Sequence, residues 1–135
     1  MINRSDKRHN SRILALVNLF SYVFSEEEDL KTTILFREEV GNLDYDNDLY
    51  QEIYNGVINN LSVIDRLIEE KAPDWPISNI PKIDLTILRI AIFELVISQK
   101  NEPAVIIDES IEVAKEFGSE NSSKFIHGVL GAVSS

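Results

Sequence analysis

The sequence predicts an all-α domain, and three observations support this fold class. Apolar residues recur at spacings of three and four over most of the chain, and no segment alternates apolar and polar residues as a half-buried strand does. One stretch, residues 83–97, is apolar on nearly every side. A helix that is apolar all round is buried rather than lying on a surface, so we expect the other helices to pack around this one.

Composition limits the class of protein. A chain of 135 residues without a Pro/Gly/Ser-rich linker is long enough for one domain with a real core. It contains no cysteine, which excludes disulfides and thiolate metal sites. The N-terminus lacks the apolar run of a secretory signal, and no segment is long enough to span a bilayer. We therefore expect a cytoplasmic protein.

Charge is unevenly distributed along the chain. The net charge is −10, which by itself argues against a nucleic-acid partner. Residues 1–12, however, hold Arg4, Lys7, Arg8 and Arg12 against Asp6 alone, a local charge of +3 that leaves −13 on the remainder. A basic end on an acidic body indicates a local anion-binding patch.

The first helix is predicted from about Asp6 to Phe24. Its buried face consists of apolar residues at helical spacing: Ile13, Leu16, Val17, Phe20, Val23 and Phe24. A second stripe begins with basic residues, continues with small side chains and ends with an aromatic one: Arg4, Arg8, Ser11, Arg12, Ala15, Asn18 and Tyr22. Such a surface suits a phosphate backbone with bases against it, although solvated charges explain it as well.

Two further helices complete the N-terminal half. Ser25 and Glu28 form a capping-box pattern that opens a second helix, and Gly41 suits its C-cap. After a polar turn at residues 44–48, one continuous third helix is predicted to reach Ile68. The aspartates of the turn alternate like calcium ligands but lack the loop glycine and the closing glutamate, so we predict no metal there.

The second half begins at the Ala72–Pro76 break, where we expect Trp75 to wedge into the core. The central helix follows, with Pro81 in its first turn. Pro103 and Gly118 bound the next helix, and its predicted buried face is Ile107, Ile111, Ala114 and Phe117. Ser119 or Asn121 caps the last helix, in which the predicted buried residues are Ile126, Val129, Leu130 and Val133. A small-residue strip in this helix, Gly128, Gly131 and Ala132, is predicted to allow close helix approach.

No pattern of residues indicates catalysis. The two histidines, His9 and His127, lie in opposite terminal helices, and the chain has neither a nucleophile motif nor a glycine-rich phosphate loop. Arg89 is expected to form a structural ion pair with one of four nearby acids: Glu94, Asp108, Glu109 or Glu112. We therefore predict a protein that is not an enzyme and needs no cofactor.

Four blocks of the C-terminal half, in order, carry a resemblance to a known family. They are residues 75–77 (WPI), 83–95 (IDLTILRIAIFEL), 102–118 (EPAVIIDESIEVAKEFG) and 124–130 (KFIHGVL). The opening helix agrees more weakly through Arg12, Ala15, Leu19 and Phe20. Together they resemble the signature of the NusB transcription antitermination family, over nearly the whole chain.

The resemblance implies a fold, partners and site residues. The fold would be two three-helix sub-bundles sharing one core, about residues 5–72 and 73–135. The partners would be boxA-type RNA of ribosomal operons, ribosomal protein NusE and the RNA polymerase antitermination complex. The implied RNA contacts are Arg4, Lys7, Arg8, Arg12, Asn121, Lys124 and Phe125. The implied NusE contacts are Phe20 and Asp84, and a homodimer is left open because some family members form one.

The chain also departs from the family pattern. His9 and Asn10 stand where further arginines are usual, Leu85 replaces a basic residue, and Asp108 and His127 replace asparagines. We expect Asp108 and His127 to form a compensating hydrogen bond. The thinner basic patch predicts weaker binding to RNA alone, and it leaves an alternative in which the chain is a non-catalytic interaction module with weak or lost RNA binding.

Overall fold

The computed structural model describes residues 6–23 and 43–134. Within those ranges it contains six α-helices and no strand, which confirms the all-α prediction. The helices are α1 (Lys7–Val23), α2 (Asn47–Asn59), α3 (Leu61–Lys71), α4 (Lys82–Ile92), α5 (Pro103–Phe117) and α6 (Ser122–Ser134). The predicted second helix, with its capping box at residues 25–28 and its C-cap at Gly41, lies outside the described residues.

Helix α4 is the centre of the fold, as its composition predicted. Every residue from Asp84 to Glu94 is buried, and α4 contacts all five of the other described helices. A short 3₁₀ turn, Ile77–Asn79, leads into it. At its end the helix widens into a π segment, Phe93–Ser98, which stops at Gln99 in the left-handed conformation with a φ of 54°. The sequence analysis did not anticipate this π segment, which carries Glu94.

The predicted third helix is two helices, so the prediction of one continuous helix was wrong. The break lies at Asn60, between α2 and α3. The side-chain Nδ2 of Asn60 donates to the Gly56 carbonyl at 2.7 Å, and its backbone N–H bonds to the Val57 carbonyl at 3.2 Å. Because a side chain that bonds to its own preceding turn competes with the helical pattern, the chain changes direction here.

Gly56 permits the close approach of α2 to the π segment. A Cβ atom on Gly56 would lie 2.2 Å from two ring carbons of Phe93. A larger residue would push the ring, and with it the start of the π segment, away from α2. The position of the neighbouring Glu94 therefore depends partly on a residue without a side chain.

Helix α5 is bounded as predicted, but its buried face is shifted. Pro103 occupies the first position, and the Gly118 N–H bonds to the Ala114 carbonyl at 2.9 Å. The fully buried residues are Ile106, Ser110, Val113 and Ala114, whereas the predicted Ile107, Ile111 and Phe117 are only half-buried. Ser110 fits this face because its hydroxyl donates to the Ile106 carbonyl at 2.8 Å, which removes the cost of burying it.

The two glycines of the small-residue strip of α6 do not lie in a helix contact, contrary to the prediction. Gly128 and Gly131 are exposed, and a Cβ on either would meet no atom within 4 Å. The reason is the phase of the helix, since Ile126, Val129 and Leu130 occupy the packed side. Helical spacing then places residues 128 and 131 on the opposite side. None of the described helices is both long enough and apolar enough to cross a membrane.

Candidate nucleic-acid and partner interface

The first turn of α1 presents two exposed cations, Lys7 and Arg8, which we call the basic turn. Lys7 Nζ lies 3.4 Å from Asp44 Oδ2, and Arg8 Nη1 lies 3.9 Å from Asp46 Oδ2. Arg8 Nη2 also donates to Asn101 Oδ1 at 3.0 Å. The Lys7 and Arg8 side chains are 61% and 50% exposed. Exposed ion pairs of this kind contribute at most about 1 kcal/mol, so the cations can exchange their partners for phosphates.

The residues 43–46 are fixed against α1 by buried polar contacts. The Ser11 hydroxyl contacts both the Asp46 carbonyl and the Asp46 N–H at 2.8 Å, and Asn10 Nδ2 donates to the Asp44 carbonyl at 2.8 Å. Ser11 and Ala15 are consequently fully buried. The second stripe of α1 was predicted as an exposed face, and for these residues the prediction was wrong because the 43–46 segment and neighbouring helices cover them.

Arg12 is buried in an ion pair rather than displayed to solvent. It is 5% exposed, and its Nε and Nη2 donate to the two carboxylate oxygens of Glu94, each at 2.9 Å. Its Nη1 lies 4.0 Å from Glu109 Oε2. Burial disfavours the charged guanidinium, but the hydrogen bonds that it donates to Glu94 outweigh this effect and raise the pKa of Arg12. The structure therefore places Arg12 beneath the basic turn, where it ties α1 to the π segment.

Arg89 pairs with a residue that the sequence analysis did not consider. Its Nε and Nη2 donate to the carboxylate of Asp65 on α3 at 2.9 and 2.8 Å, so the four predicted partners were wrong. Arg89 faces α3, whereas Glu94, five residues later, faces α1 and is taken by Arg12. The helical face on which Arg89 lies could not show from the sequence which neighbouring helix supplies its acidic partner.

A groove of about 420 Å³ lies between the start of α4 and the start of α6; we call it the aromatic groove. It is lined by Trp75, Pro81, Asp84, Ser119, Asn121 and Phe125. Trp75 is 49% exposed and meets Phe125 edge to face, with ring centroids 5.7 Å apart. Trp75 was predicted to be core, and this was wrong because the 3₁₀ turn directs Ile80 inward instead.

Asp84 places a carboxylate at the floor of the aromatic groove. It is 3% exposed, and its Oδ1 accepts a hydrogen bond from the Ser122 hydroxyl at 2.7 Å. The same hydroxyl accepts the Ser119 N–H at 2.8 Å, so the loop before α6 is locked onto Asp84. Burial raises the pKa of Asp84, and the bond from Ser122 offsets part of that effect.

The remaining predicted site residues differ in exposure. Asn121 and Lys124 are exposed at the start of α6, and Phe125 is half-buried. Phe20 is 3% exposed and belongs to the packed side of α1, while Arg4 lies outside the described residues. The structure thus assembles two candidate surfaces, the basic turn and the aromatic groove. Asp108 and His127 are both exposed, and no hydrogen bond joins these two described residues, so the predicted compensating pair is not formed.

Three residues that contact the basic turn or the neighbouring His9 were not predicted from the sequence. Asn101 contacts Arg8, and two acids of α5, Glu109 and Glu116, contact His9. The spacing of Glu109 and Glu116 gave one usable signal, because residues seven apart lie on the same face of a helix and the two acids could therefore act together. No sequence pattern indicated that this face would meet α1.

Comparisons with known proteins show the family of this chain. The family model of the NusB family matches residues 9–135. The chain belongs to the NusB family. It is 38% identical over 137 residues to the transcription antitermination protein NusB of Chloroflexus aggregans, covering 98% of this chain and 89% of that protein. It is 40% identical over 139 residues to that of Geotalea daltonii, covering 95% and 94%. These NusB relatives are named as transcription antitermination proteins rather than as enzymes.

Solved NusB structures have the same fold. The NusB of T. maritima superposes with a TM-score of 0.72 at 33% identity, covering 93% of this chain and 89% of that one. A crystal structure of the antitermination factors NusB and NusE in complex with dsRNA contains a chain that superposes with a TM-score of 0.69. At 20% identity, that second likeness concerns the fold alone.

Proposed function

We propose that this chain is a transcription antitermination factor that binds boxA-type single-stranded RNA of ribosomal operons together with ribosomal protein NusE. It would act in the cytoplasm as part of the RNA polymerase antitermination complex. The observation that carries the proposal is the basic turn, an exposed pair of cations on a chain whose net charge is −10. Membership in the NusB family supports it, as do the names of the relatives.

Phosphates bind at the basic turn by exchange. Lys7 and Arg8 leave the exposed carboxylates of Asp44 and Asp46 and neutralise RNA phosphates, with Arg4 contributing from the preceding segment. Arg12 contributes indirectly, because its buried pair with Glu94 sets the position of α1. Since counterions are released from the RNA, affinity falls as salt rises.

Bases bind at the aromatic groove. The ring of Phe125 is half-buried and packs edge to face with Trp75, so its position is fixed before RNA arrives. An unpaired base stacks on such a ring, and sequence in single-stranded RNA is read through stacking and base edges. Asn121 and Lys124 flank the ring with an amide and a cation.

NusE docks through the acidic part of the surface. Asp84 offers a carboxylate in a groove where burial has already removed much of its water, and Phe20, the other residue that the resemblance implies, is 3% exposed on α1. A body that carries about −13 outside the first twelve residues attracts a basic protein. Asp84→Asn keeps an oxygen for the Ser122 hydroxyl, so it removes the charge with little change in structure.

The second candidate is a non-catalytic interaction module that binds NusE but not RNA. Two observations favour it: both cations of the basic turn already face carboxylates, and Arg12 is buried. In that case the acids would hold the basic turn permanently.

The test is the binding of a labelled boxA-like RNA, followed by fluorescence anisotropy with and without purified NusE. Wild type is compared with Arg8→Glu, Phe125→Ala and Asp84→Asn, and Arg66→Glu on an exposed position of α3 is the matched control. We expect RNA binding that tightens with NusE, weakens in the first two variants and is unaffected by the control. Binding of NusE without any RNA binding would establish the second candidate instead.

A further inference from the structure

His9 lies in a cluster of acids between α1 and α5, which we call the His9 cluster. It is 5% exposed. Its Nδ1 lies 2.5 Å from Glu109 Oε2, and its Nε2 lies 3.3 Å from Glu116 Oε1. The two glutamates are seven residues apart, two turns along one face of α5, and the imidazole spans the space between them.

The geometry requires a particular protonation state. A neutral imidazole has one N–H and can donate to one carboxylate only, whereas the imidazolium donates from both nitrogens. Glu116 depends on this second donor, because its other oxygen, Oε2, is buried without a hydrogen-bond partner. Because both ring nitrogens of His9 face carboxylates, the geometry indicates that the imidazole is in its charged form.

The other charged groups around His9 come from three parts of the chain. Asp6, just before α1, accepts the backbone N–H groups of both Arg8 and His9 at its Oδ1, each at 3.1 Å. Arg12, on α1, lies 4.0 Å from the same Glu109 oxygen and is neutralised by Glu94 of the π segment. With His9 charged, His9 and Arg12 are set against four carboxylates, those of Asp6, Glu94, Glu109 and Glu116. With His9 neutral, Arg12 is the cation of this pair that remains, which leaves Glu109 and Glu116 repelling each other with less compensation.

The cluster is directly connected to the basic turn. Arg8 precedes His9 in the chain, and its guanidinium reaches Asn101 just before α5. Arg8, His9 and Arg12 thus attach one side of α1 to the segment that runs from the π segment through α5. Of these three attachments, the one through His9 is the only one that a change within the physiological pH range can remove.

We propose that protonated His9 is the positioning residue that holds the first turn of α1 on α5, so that RNA binding through the basic turn weakens when His9 loses its proton. This rests on the proposed RNA-binding function. The proposal depends on this residue being a histidine, because a histidine couples the position of the turn to pH and a permanently charged side chain does not.

The direction of the pH effect follows from linkage. The hydrogen bond that His9 donates to Glu109, opposed by burial and assisted by Glu116, raises the pKa of His9 above 6.5. A raised pKa in the folded state stabilises the protein fully below the unfolded value of about 6.5. That stability is lost as pH rises through the raised value, so the first turn of α1 loosens as the pH rises and not as it falls.

The test uses the small number of histidines. Because the chain has two, ¹H NMR resolves each imidazole, and His127→Gln is the matched control on an exposed site. Between about pH 5.5 and 9, we expect the resonance that His9→Gln removes to titrate above the ordinary value of about 6.5. Glu116→Gln, which keeps the imidazole and the fold, should lower that titration toward the ordinary value.

RNA affinity is then measured over the same pH range. For wild type and His127→Gln we expect a loss of about two- to fivefold as His9 deprotonates, the scale of one rearranged exposed ion pair. His9→Gln should bind at every pH as weakly as deprotonated wild type. If wild type and His9→Gln bind RNA with the same pH dependence, the positioning role is overturned and the proposed function survives. If no RNA binds at any pH, the proposed function fails and the coupling fails with it, whatever the NMR titration shows.

Discussion

The basic turn and the aromatic groove are both candidate RNA surfaces, but they are held in place by different forces. At the basic turn every charged group already has a partner: Lys7 and Arg8 face exposed aspartates, and buried ion pairs lie beneath. At the aromatic groove the ring of Phe125 is fixed by apolar packing against Trp75, and Asp84 is bonded to a hydroxyl.

This difference predicts different responses to solution conditions. Binding at the basic turn exchanges one ion pair for another, so it yields little net energy and depends on salt and pH. Binding at the aromatic groove adds stacking to a preformed surface, so it contributes more energy and depends little on salt. One RNA would thus be positioned by charge at one end and held by stacking at the other.

The largest effect is expected from breaking the support of the basic turn. Glu94→Gln removes the carboxylate that is hydrogen-bonded to the buried Arg12 and leaves Glu109 at 4.0 Å; loss of one partner of a buried pair costs about 3–5 kcal/mol of folding free energy. Urea denaturation measures this cost. Replacing both partners, with Arg12→Met and Glu94→Leu together, should cost much less. A loss below about 1 kcal/mol in Glu94→Gln would mean that the pair does not hold α1.

The next effect concerns the aromatic groove. Phe125→Ala should weaken RNA binding by about 1–3 kcal/mol, which is roughly 5- to 150-fold, because a stacked base loses its platform. Phe125→Leu is the matched control, since it keeps apolar volume against Trp75 but removes the π face. If the Leu variant binds RNA as well as wild type, Phe125 supports the groove by packing and does not stack on a base.

A smaller effect is expected at the exposed cation. Arg8→Gln should lower RNA affinity by about 1 kcal/mol at low salt, because one phosphate contact is lost while the fold is untouched. Anisotropy titration measures the affinity, and Arg66→Gln on α3 controls for the change in net charge. Equal losses in both variants would show that only the overall charge matters.

The smallest effect has the opposite sign. Asp44→Asn frees Lys7 from its exposed partner at 3.4 Å and should raise RNA affinity by less than about 1 kcal/mol. Asp46 is unsuitable for this test because its Oδ1 also caps α2 through the Leu49 N–H. The control is Asp74→Asn at an exposed position of the turn before α4. A decrease in affinity would show that Asp44 does not compete with phosphate.

Sequence reasoning predicted the features that depend on one element at a time. The burial of α4, the Pro103 and Gly118 ends of α5 and the exposure of Lys7 and Arg8 all follow from local composition and spacing. The family resemblance added an RNA-contacting role for Phe125, which stays a prediction; helical spacing alone left Phe125 undecided between a residue at the rim of the core and a site residue.

Features that depend on contacts between distant elements were not predictable. Arg12 looked like a surface cation because its partner, Glu94, lies 82 residues away on a different helix. His9 looked like a thinning of the basic patch, yet its acids lie 100 and 107 residues away. Trp75 looked like core because of its size, and a short 3₁₀ turn placed Ile80 inward in its stead. In each of these three cases the type of the residue suggested a role, but the sequence around it did not show which distant residues it would contact.

The most direct test of the two-surface account is the salt dependence of RNA binding by wild type, Arg8→Gln and Phe125→Ala. Anisotropy would be measured from about 50 to 500 mM salt, and log affinity plotted against log salt concentration. The account predicts that Arg8→Gln reduces the slope by about 0.7, the value for one phosphate of a single strand, while Phe125→Ala lowers affinity without changing the slope. Equal slopes for wild type and Arg8→Gln, or a reduced slope for Phe125→Ala, would contradict it.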